Sequence, residues 1–173
     1  GVATLMLVED GKIRLSDPVS RFIPEFRDTK VAIQNRQSQT YTIPAHREIT
    51  VRHLMTHTSG LVSGGAGARV AAEVAPRRSS DPVAEWVAAL GAAPLDFQPG
   101  TQWAYSGLAG IDTLGRIVEV ASGMTFDRFL SEKIFQPLGM QDTTFVVPRN
   151  KQPRVVTLYQ RSSEGLQRRD LPE

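Results

Sequence analysis

The spacing of apolar residues predicts a long helix over residues 107–122. Its apolar side chains recur three or four positions apart, which places them on one helical face: Leu108, Ile111, Leu114, Val118 and Ala121. Gly123 follows as a stop signal, because glycine readily adopts the left-handed conformation that ends a helix. Gly115 lies inside the helix at a cost of about 1 kcal/mol relative to alanine, which predicts that a neighbouring element packs closely against it. The middle of the chain is therefore expected to be a helical cluster.

Shorter helices are predicted on both sides of this helix. Asp81-Pro82 opens a helix whose apolar face consists of Val83, Trp86, Val87 and Leu90. Thr50 is a good cap for a short helix, and a turn or short helix follows Asp17-Pro18. Thr125 caps a further helix that ends at Gly139 and turns four apolar side chains inward: Phe126, Phe129, Leu130 and Ile134.

Extended structure and one long loop are expected elsewhere. Residues 31–33 and 41–43 show partial alternation and are predicted to be extended strands or a loop, and residues 143–147 and 155–159 are predicted to be short strands. Residues 59–80 are rich in glycine, alanine, serine and arginine and are predicted to be a mobile surface loop.

Both ends of the sequence are expected to continue in a larger protein. Residues 1–10 are largely apolar and are followed by Gly11, but no capping residue precedes them. They are therefore predicted to be the last turns of a buried helix. Residues 170–173 add no closing element. An apolar strip on residues 1–8 without its partners would favour association of the chain.

The composition is ordinary for a globular domain and excludes several classes of function. Of the 173 residues, 40% are hydrophobic and 22% charged, and the net charge is +2. The absence of cysteine excludes disulfides, a thiolate zinc site and a cysteine nucleophile. The arginine pairs at 77–78 and 168–169 are too local for a nucleic-acid groove and are expected on solvated surface. No apolar run reaches the roughly 18 residues of a membrane-spanning helix.

Histidines and serines form no familiar catalytic or metal-binding motif. His53 and His57 are four residues apart, but Leu54 stands where the metalloprotease pattern has glutamate, and no third ligand is apparent. No metal site is therefore expected, and His57 to Gly60 is predicted to form a hydrogen-bonded turn. No serine lies in a Gly-x-Ser-x-Gly elbow or three residues before a lysine.

One segment remains as a candidate for chemistry. A Pro99-Gly100 turn leads into Trp103, Tyr105 and Ser106 at the start of the long predicted helix. The amino end of a helix carries partial positive charge and favours an anion. On residue types alone, Tyr105 is either a packing tyrosine or a catalytic one.

Several stretches together resemble the serine β-lactamase-like superfamily, which includes class C β-lactamases, DD-peptidases and family VIII carboxylesterases. The resemblance extends over nearly the whole chain, at residues 5–12, 17–24, 49–61, 97–100, 103–106 and 137–145. It implies an α+β fold in which a helical domain is inserted into a layer with an antiparallel sheet. The chain would then be incomplete. Residues 1–49 would contain the end of the nucleophile helix and linking strands, residues 50–145 the helical domain, and residues 146–173 return strands.

The resemblance also implies three active-site elements. A Ser-x-x-Lys motif is expected shortly before Gly1, and an (His/Lys)-x-Gly strand after Glu173. Tyr105 matches the tyrosine of the family's Tyr-x-Asn motif. Trp103, Ser106 and Gly107 are predicted to line the substrate cleft, with simple packing or capping as the alternative for each. Gly107 stands where the lactamase and peptidase branches have asparagine, which favours the esterase branch, as does the run at residues 111–115.

The function implied for the intact protein is that of a serine hydrolase acting on small esters, without a metal or organic cofactor. The 173 residues alone lack the nucleophile and are predicted to be inactive. Two alternatives stay open: a β-lactamase or DD-peptidase acting on β-lactam or D-Ala-D-Ala substrates, and a non-catalytic binding or scaffold module of the same fold. No nucleic-acid partner is expected, and the sequence leaves the compartment open.

Overall fold

Helices and two short hairpins make up the fold. The computed structural model describes residues 1–78, 81–163 and 165–169. Its α-helices are α1 (Val2–Glu9), α2 (Val51–Met55), α3 (Ala66–Val74), α4 (Val83–Leu90), α5 (Ala109–Ser122) and α6 (Phe126–Leu130), which continues as a π-helical turn over Ser131–Phe135. Its strands are β1 (Lys30–Gln34), β2 (Thr40–Pro44), β3 (Leu158–Ser162) and β4 (Gly165–Arg169). Short 3-10 turns cover Val19–Arg21, Pro24–Phe26 and Arg149–Arg154. The predicted α+β class is confirmed.

Helix α5 lies at the centre of the hydrophobic core. Its Leu114, Ile117 and Val118 are almost fully buried, and α1, α2 and α4 pack against it. The predicted apolar face is wrong at its beginning, because Leu108 precedes the helix and is 69% exposed, while Ile111 is 44% exposed. The buried face begins instead with three small residues that let neighbouring segments approach closely: Ala109, Gly110 and Thr113.

The interpretation of Gly115 is also wrong. A methyl group at this position would lie 3.9 Å from the ring of Phe126, which is an ordinary van der Waals distance. The space beside Gly115 can therefore hold an alanine side chain.

Helix α1 confirms the helix predicted at the beginning of the chain. Its Ala3, Thr4 and Leu7 are buried, whereas Val2 and Leu5 are exposed. None of the helices in the described ranges is long and apolar enough to cross a membrane.

The β1–β2 hairpin is antiparallel, with Val31 opposite Ile43, and confirms the first two predicted strands. The other edge of β1 pairs with the segment that precedes the candidate site. The Ala32 N–H donates to the Leu95 carbonyl at 2.9 Å, and the Leu95 N–H donates to the Lys30 carbonyl at 2.7 Å. Residues 94–97 are thereby fixed against the hairpin.

The loop prediction for residues 59–80 is wrong over residues 66–74, which form α3. The glycines at the start of this stretch suggested a loop, but the alanines that follow them are strong helix formers. The Asp96 carboxylate fixes the segment before α3, since it accepts hydrogen bonds from the Ser63 N–H at 2.6 Å and the Ser63 hydroxyl at 2.8 Å. It also accepts one from the Ala68 N–H at 2.8 Å. Residues 79 and 80 lie outside the described part of the chain.

The last third of the chain begins with α6, whose Phe129 is buried and whose other apolar residues pack partly against the core, as predicted. The strand predicted at 143–147 is wrong: these residues are irregular with a bend at 145–146, and no described strand pairs with them. β3 overlaps the strand predicted at 155–159 and pairs with β4. Asp142 bonds Arg154 at 2.6 Å and Lys151 at 2.9 Å, and these cations lower the pKa of its carboxyl to about 2. Residues 170–173 lie outside the described part.

Candidate active site

The segment that carries Tyr105 is fixed by backbone hydrogen bonds to the turn after α2. Gly100 adopts a positive φ of 83°, and its N–H donates to the Thr58 carbonyl at 2.8 Å. The Ala104 N–H then donates to the His57 carbonyl at 3.0 Å. Residues 100–104 therefore run alongside residues 57–58, and this pairing determines where the next side chain projects.

Tyr105 projects from this segment with its ring supported and its side chain open to solvent. The ring lies against His57, with centroids 4.8 Å apart and planes tilted by 48°. Tyr105 is nevertheless 65% exposed, and its hydroxyl has no hydrogen-bond partner among the described residues. A phenol held in this way remains available to a group outside the described fold.

Gly107 lies directly beneath the Tyr105 ring. A Cβ atom at position 107 would lie 2.7 Å from Cε1 of Tyr105 and 3.3 Å from its hydroxyl oxygen. Any larger residue, including asparagine, would force the ring to move. The glycine is therefore matched to the position that the ring adopts here.

Trp103 and Ser106 flank Tyr105 in opposite environments. Trp103 is 68% exposed and contacts His57 edge-on, with centroids 6.4 Å apart. Ser106 is buried, and its hydroxyl donates to the Leu61 carbonyl and accepts from the Gly110 N–H at 3.0 Å. The hydroxyl thus satisfies a free amide in the first turn of α5, which favours capping over substrate contact for Ser106.

His57 joins these parts, although the sequence predicted only a structural turn for it. His57 has a positive φ of 55°, and the Thr58 N–H donates to the His53 carbonyl at 2.8 Å, so the hydrogen-bonded turn closes over residues 53–58 and not over the predicted residues 57–60. In addition, Nδ1 of His57 accepts from the Ser106 N–H at 3.4 Å while its ring contacts Tyr105. No local pattern predicts these contacts, because they join residues 48 and 49 positions apart in the sequence.

His53 has a structural role in the cap of α2. Its Nδ1 accepts from the Thr50 N–H at 3.2 Å, and its own N–H donates to the Thr50 hydroxyl at 3.3 Å, which completes a capping box. Burial lowers the pKa of His53 below its ordinary value, and the nearby charges of Arg47 and Arg52 lower it further. The neutral ring suits the acceptor role of Nδ1.

A metal centre finds no support in the part of the chain that the structure describes. No group of three or more histidine, aspartate or glutamate side chains there could hold a metal ion. The site as described consists of an exposed phenol, a supporting imidazole and a glycine beneath the phenol ring. Such an arrangement can exchange a proton with a reacting group placed over Tyr105.

Comparison with known proteins gives the family to which this chain belongs. The model of the Beta-lactamase family matches residues 1–172, and the chain belongs to that family. This match confirms the resemblance inferred from the sequence. The small antiparallel hairpins and the helical cluster fit an incomplete part of the family's α+β fold.

The relatives include a protein with a stated activity and one without. An uncharacterised protein of Mycobacterium tuberculosis is 34% identical over 173 residues, covering 98% of this chain and 42% of its own length. Esterase EstB of Burkholderia gladioli is 35% identical over 151 residues, covering 84% of this chain and 35% of the esterase. This chain thus spans less than half of the length of either relative.

A solved structure supports the same assignment. The structure of EstCE1, described as a hydrolase with promiscuous acyltransferase activity, has a TM-score of 0.71 and 26% identity to this chain. It covers 99% of this chain, which corresponds to 44% of the EstCE1 chain. The shared fold therefore extends over the helices and hairpins described above.

Proposed function

We propose that these residues form the tyrosine-bearing part of a serine hydrolase that cleaves small carboxylic esters by acyl transfer. The observation that carries the proposal is the Tyr105 hydroxyl, which is held in place through its ring yet has no hydrogen-bond partner among the described residues. The names of EstB, an esterase, and EstCE1, a hydrolase, support an ester as substrate. Gly107 in place of asparagine favours an ester over a β-lactam or peptide.

The proposed reaction needs a serine and a lysine from a Ser-x-x-Lys motif that these 173 residues do not contain. The serine Oγ attacks the ester carbonyl carbon, and its proton passes to the lysine–tyrosine pair. The tetrahedral oxyanion collapses, the bond to the alcohol oxygen breaks, and Tyr105 protonates the leaving alkoxide. Water then attacks the acyl-enzyme, Tyr105 accepts a proton from it, and the carboxylic acid leaves as the serine regains its hydrogen.

Neighbouring residues would contribute position rather than chemistry. Trp103 is proposed as an exposed wall of the substrate cleft, and Gly107 as the residue that leaves room for the phenol. The division at residues 1–49, 50–145 and 146–173 belongs to the same proposal, with the Ser-x-x-Lys helix expected to lead into α1.

The test replaces Tyr105 by phenylalanine in the longer protein that contains both the Ser-x-x-Lys helix and the (His/Lys)-x-Gly strand. Tyr105→Phe is expected to lower kcat for p-nitrophenyl butyrate by about 10²–10⁴-fold, because general acid–base catalysis contributes about that factor. Thermal stability should change little, since the side chain is 65% exposed. The 173-residue chain by itself should show no turnover.

Tyr159→Phe is the matched control, because Tyr159 is a similarly exposed tyrosine on β3. It should retain full activity. Unchanged kcat in Tyr105→Phe, or serine-dependent turnover by the 173-residue chain, would exclude the proposed role.

A further inference from the structure

A cleft of about 450 Å³ opens between α3, α4 and the segment that leads into α5. This volume lies within the range of about 300–1,000 Å³ that is typical of small-molecule sites. One wall comes from α3 and contains Ala68, Ala71 and Ala72, whose short side chains leave the space unfilled. Trp86 of α4 and Leu108 also line the cleft.

The two polar side chains that line the cleft, those of Trp86 and Arg77, are already engaged within the protein. The Trp86 indole N–H donates to the Ala75 carbonyl at 3.0 Å, so the indole offers only its carbon surface. Arg77 bonds the Asp112 carboxylate at 2.9 Å and lies 4.3 Å from the centroid of the Trp86 ring. With its charge balanced in this way, Arg77 does not call for an anionic ligand. The cleft is therefore suited to an uncharged, apolar group.

Gly107 connects this cleft to the candidate active site. It lines the cleft, and it is also the residue beneath the Tyr105 ring, with the phenol oxygen 3.3 Å from where its Cβ would be. Because Gly107 borders both, an ester whose carbonyl group lies at Tyr105 has the apolar cleft on the other side of a single residue.

We propose that this cleft binds an uncharged aliphatic chain of the ester substrate, an inference that rests on the proposed function for the identity of the ligand. The occupant is either the acyl chain or the alkyl chain of the alcohol, which present the same chemistry to the alanines and Trp86. Each methylene buried there should strengthen binding about fourfold, the factor that corresponds to about 0.8 kcal/mol per methylene.

Binding can be measured without any catalytic step. Linear methyl ketones from butanone to decanone carry a carbonyl and an aliphatic chain but no leaving group. In a Trp103→Phe background, Trp86 is the sole tryptophan of the chain, so its emission reports on the cleft. Binding should strengthen with each added methylene until the cleft is full.

Ala72→Leu tests the location, because Ala72 is an exposed residue of α3 that lines the cleft, so a larger side chain there fills space without disturbing the core. It should weaken binding of the longest ketones at least tenfold and leave butanone nearly unchanged. Ala66→Leu, on the same helix but outside the cleft lining, is the matched control and should bind like the parent.

Esterase activity of the longer protein shows which end of the ester supplies the aliphatic chain in the cleft. If the cleft holds the acyl chain, kcat/KM should rise from p-nitrophenyl acetate to octanoate and lose this dependence in Ala72→Leu. If it holds the alcohol, the same pattern should appear with linear alkyl acetates instead.

The outcomes separate this inference from the proposed function. Ketone binding that Ala72→Leu weakens, in a protein without esterase activity, would support the cleft and refute the reaction. The cleft proposal would be overturned if the longer protein had esterase activity, bound no ketone and was unaffected by Ala72→Leu. A structure of the longer protein in which another segment fills the cleft would also overturn it.

Discussion

At the residue scale, the Tyr105 ring can take its position because glycine at position 107 has no side chain to occupy that space. The ring has His57 on one side and the bare backbone of Gly107 beneath it. Because the ring is exposed, it can swing into solvent at little cost in stability if anything larger occupies position 107. Ring position, rather than folding, is therefore the property that Gly107 controls.

Gly107→Ala is expected to displace the Tyr105 ring, since the new methyl group would lie 2.7 Å from Cε1. Activity of the proposed enzyme should fall about 10²-fold, the cost of a misplacement of about 1 Å in a catalytic group. The ring-current shift that Tyr105 imposes on the His57 ring protons should disappear from the NMR spectrum. Gly115→Ala is the control with the same chemical change, and it should alter neither signal nor activity.

At the element scale, the sequence predicted the elements that local patterns specify. Helices α1, α2, α4 and α5 and the β1–β2 hairpin are confirmed. The errors arise where neighbours in space decide. Small residues at 109, 110 and 113 begin the buried face of α5, so that Ile111 faces solvent, while residues 143–147 have no partner strand in the described ranges. The sequence did not predict α3, because the glycines at the start of this segment suggested a loop although its alanines favour a helix.

The capping box of α2 should make stability depend on pH. The pKa of His53 is lower in the folded protein than its ordinary value of about 6.5, so below that pH the unfolded chain binds a proton that the folded chain resists. The free energy of unfolding should therefore decrease as the pH falls from about 6.5 through the folded-state pKa.

His53→Gln is the informative variant, because glutamine can serve as the N3 partner in a capping box without titrating. Urea unfolding of the parent and of His53→Gln should be compared between neutral pH and pH about 5, where histidine titrates. The loss of stability on acidification should be smaller in the variant. An identical loss in both proteins would show that His53 is not responsible for it.

Helix α5 should gain stability from Gly115→Ala. Alanine is favoured over glycine in a helix interior by about 1 kcal/mol, and the nearest atom to the new methyl group is 3.9 Å away. Denaturant unfolding should show an increase of about 0.5–1 kcal/mol. Gly110→Ala on the same helix should not share this gain, because its methyl group would lie 3.2 Å from the Ser106 hydroxyl oxygen. Destabilisation by Gly115→Ala would contradict the open space described here.

At the scale of the whole molecule, sequence motifs identified the family but not the contacts around Tyr105. Tyr105 could be proposed as a site residue because its motif is local. Three features join segments that are distant in sequence. They are the contacts of His57 with Ser106 and Tyr105, the hydrogen bonds of Asp96 to Ser63, and the cleft beside Gly107. Periodicity and capping rules describe neighbours along the chain and carry no information on such contacts.

The contacts that hold residues 94–97 in place affect the order in which the protein folds. The β1–β2 hairpin can close from residues near one another in sequence, whereas the Asp96–Ser63 contact spans 33 positions and the His57–Ser106 contact spans 49. Closing longer loops costs more chain entropy before any contact compensates for it. The surroundings of Tyr105 are therefore expected to assemble late, so that the hairpin forms before the Tyr105 ring reaches its position beside His57.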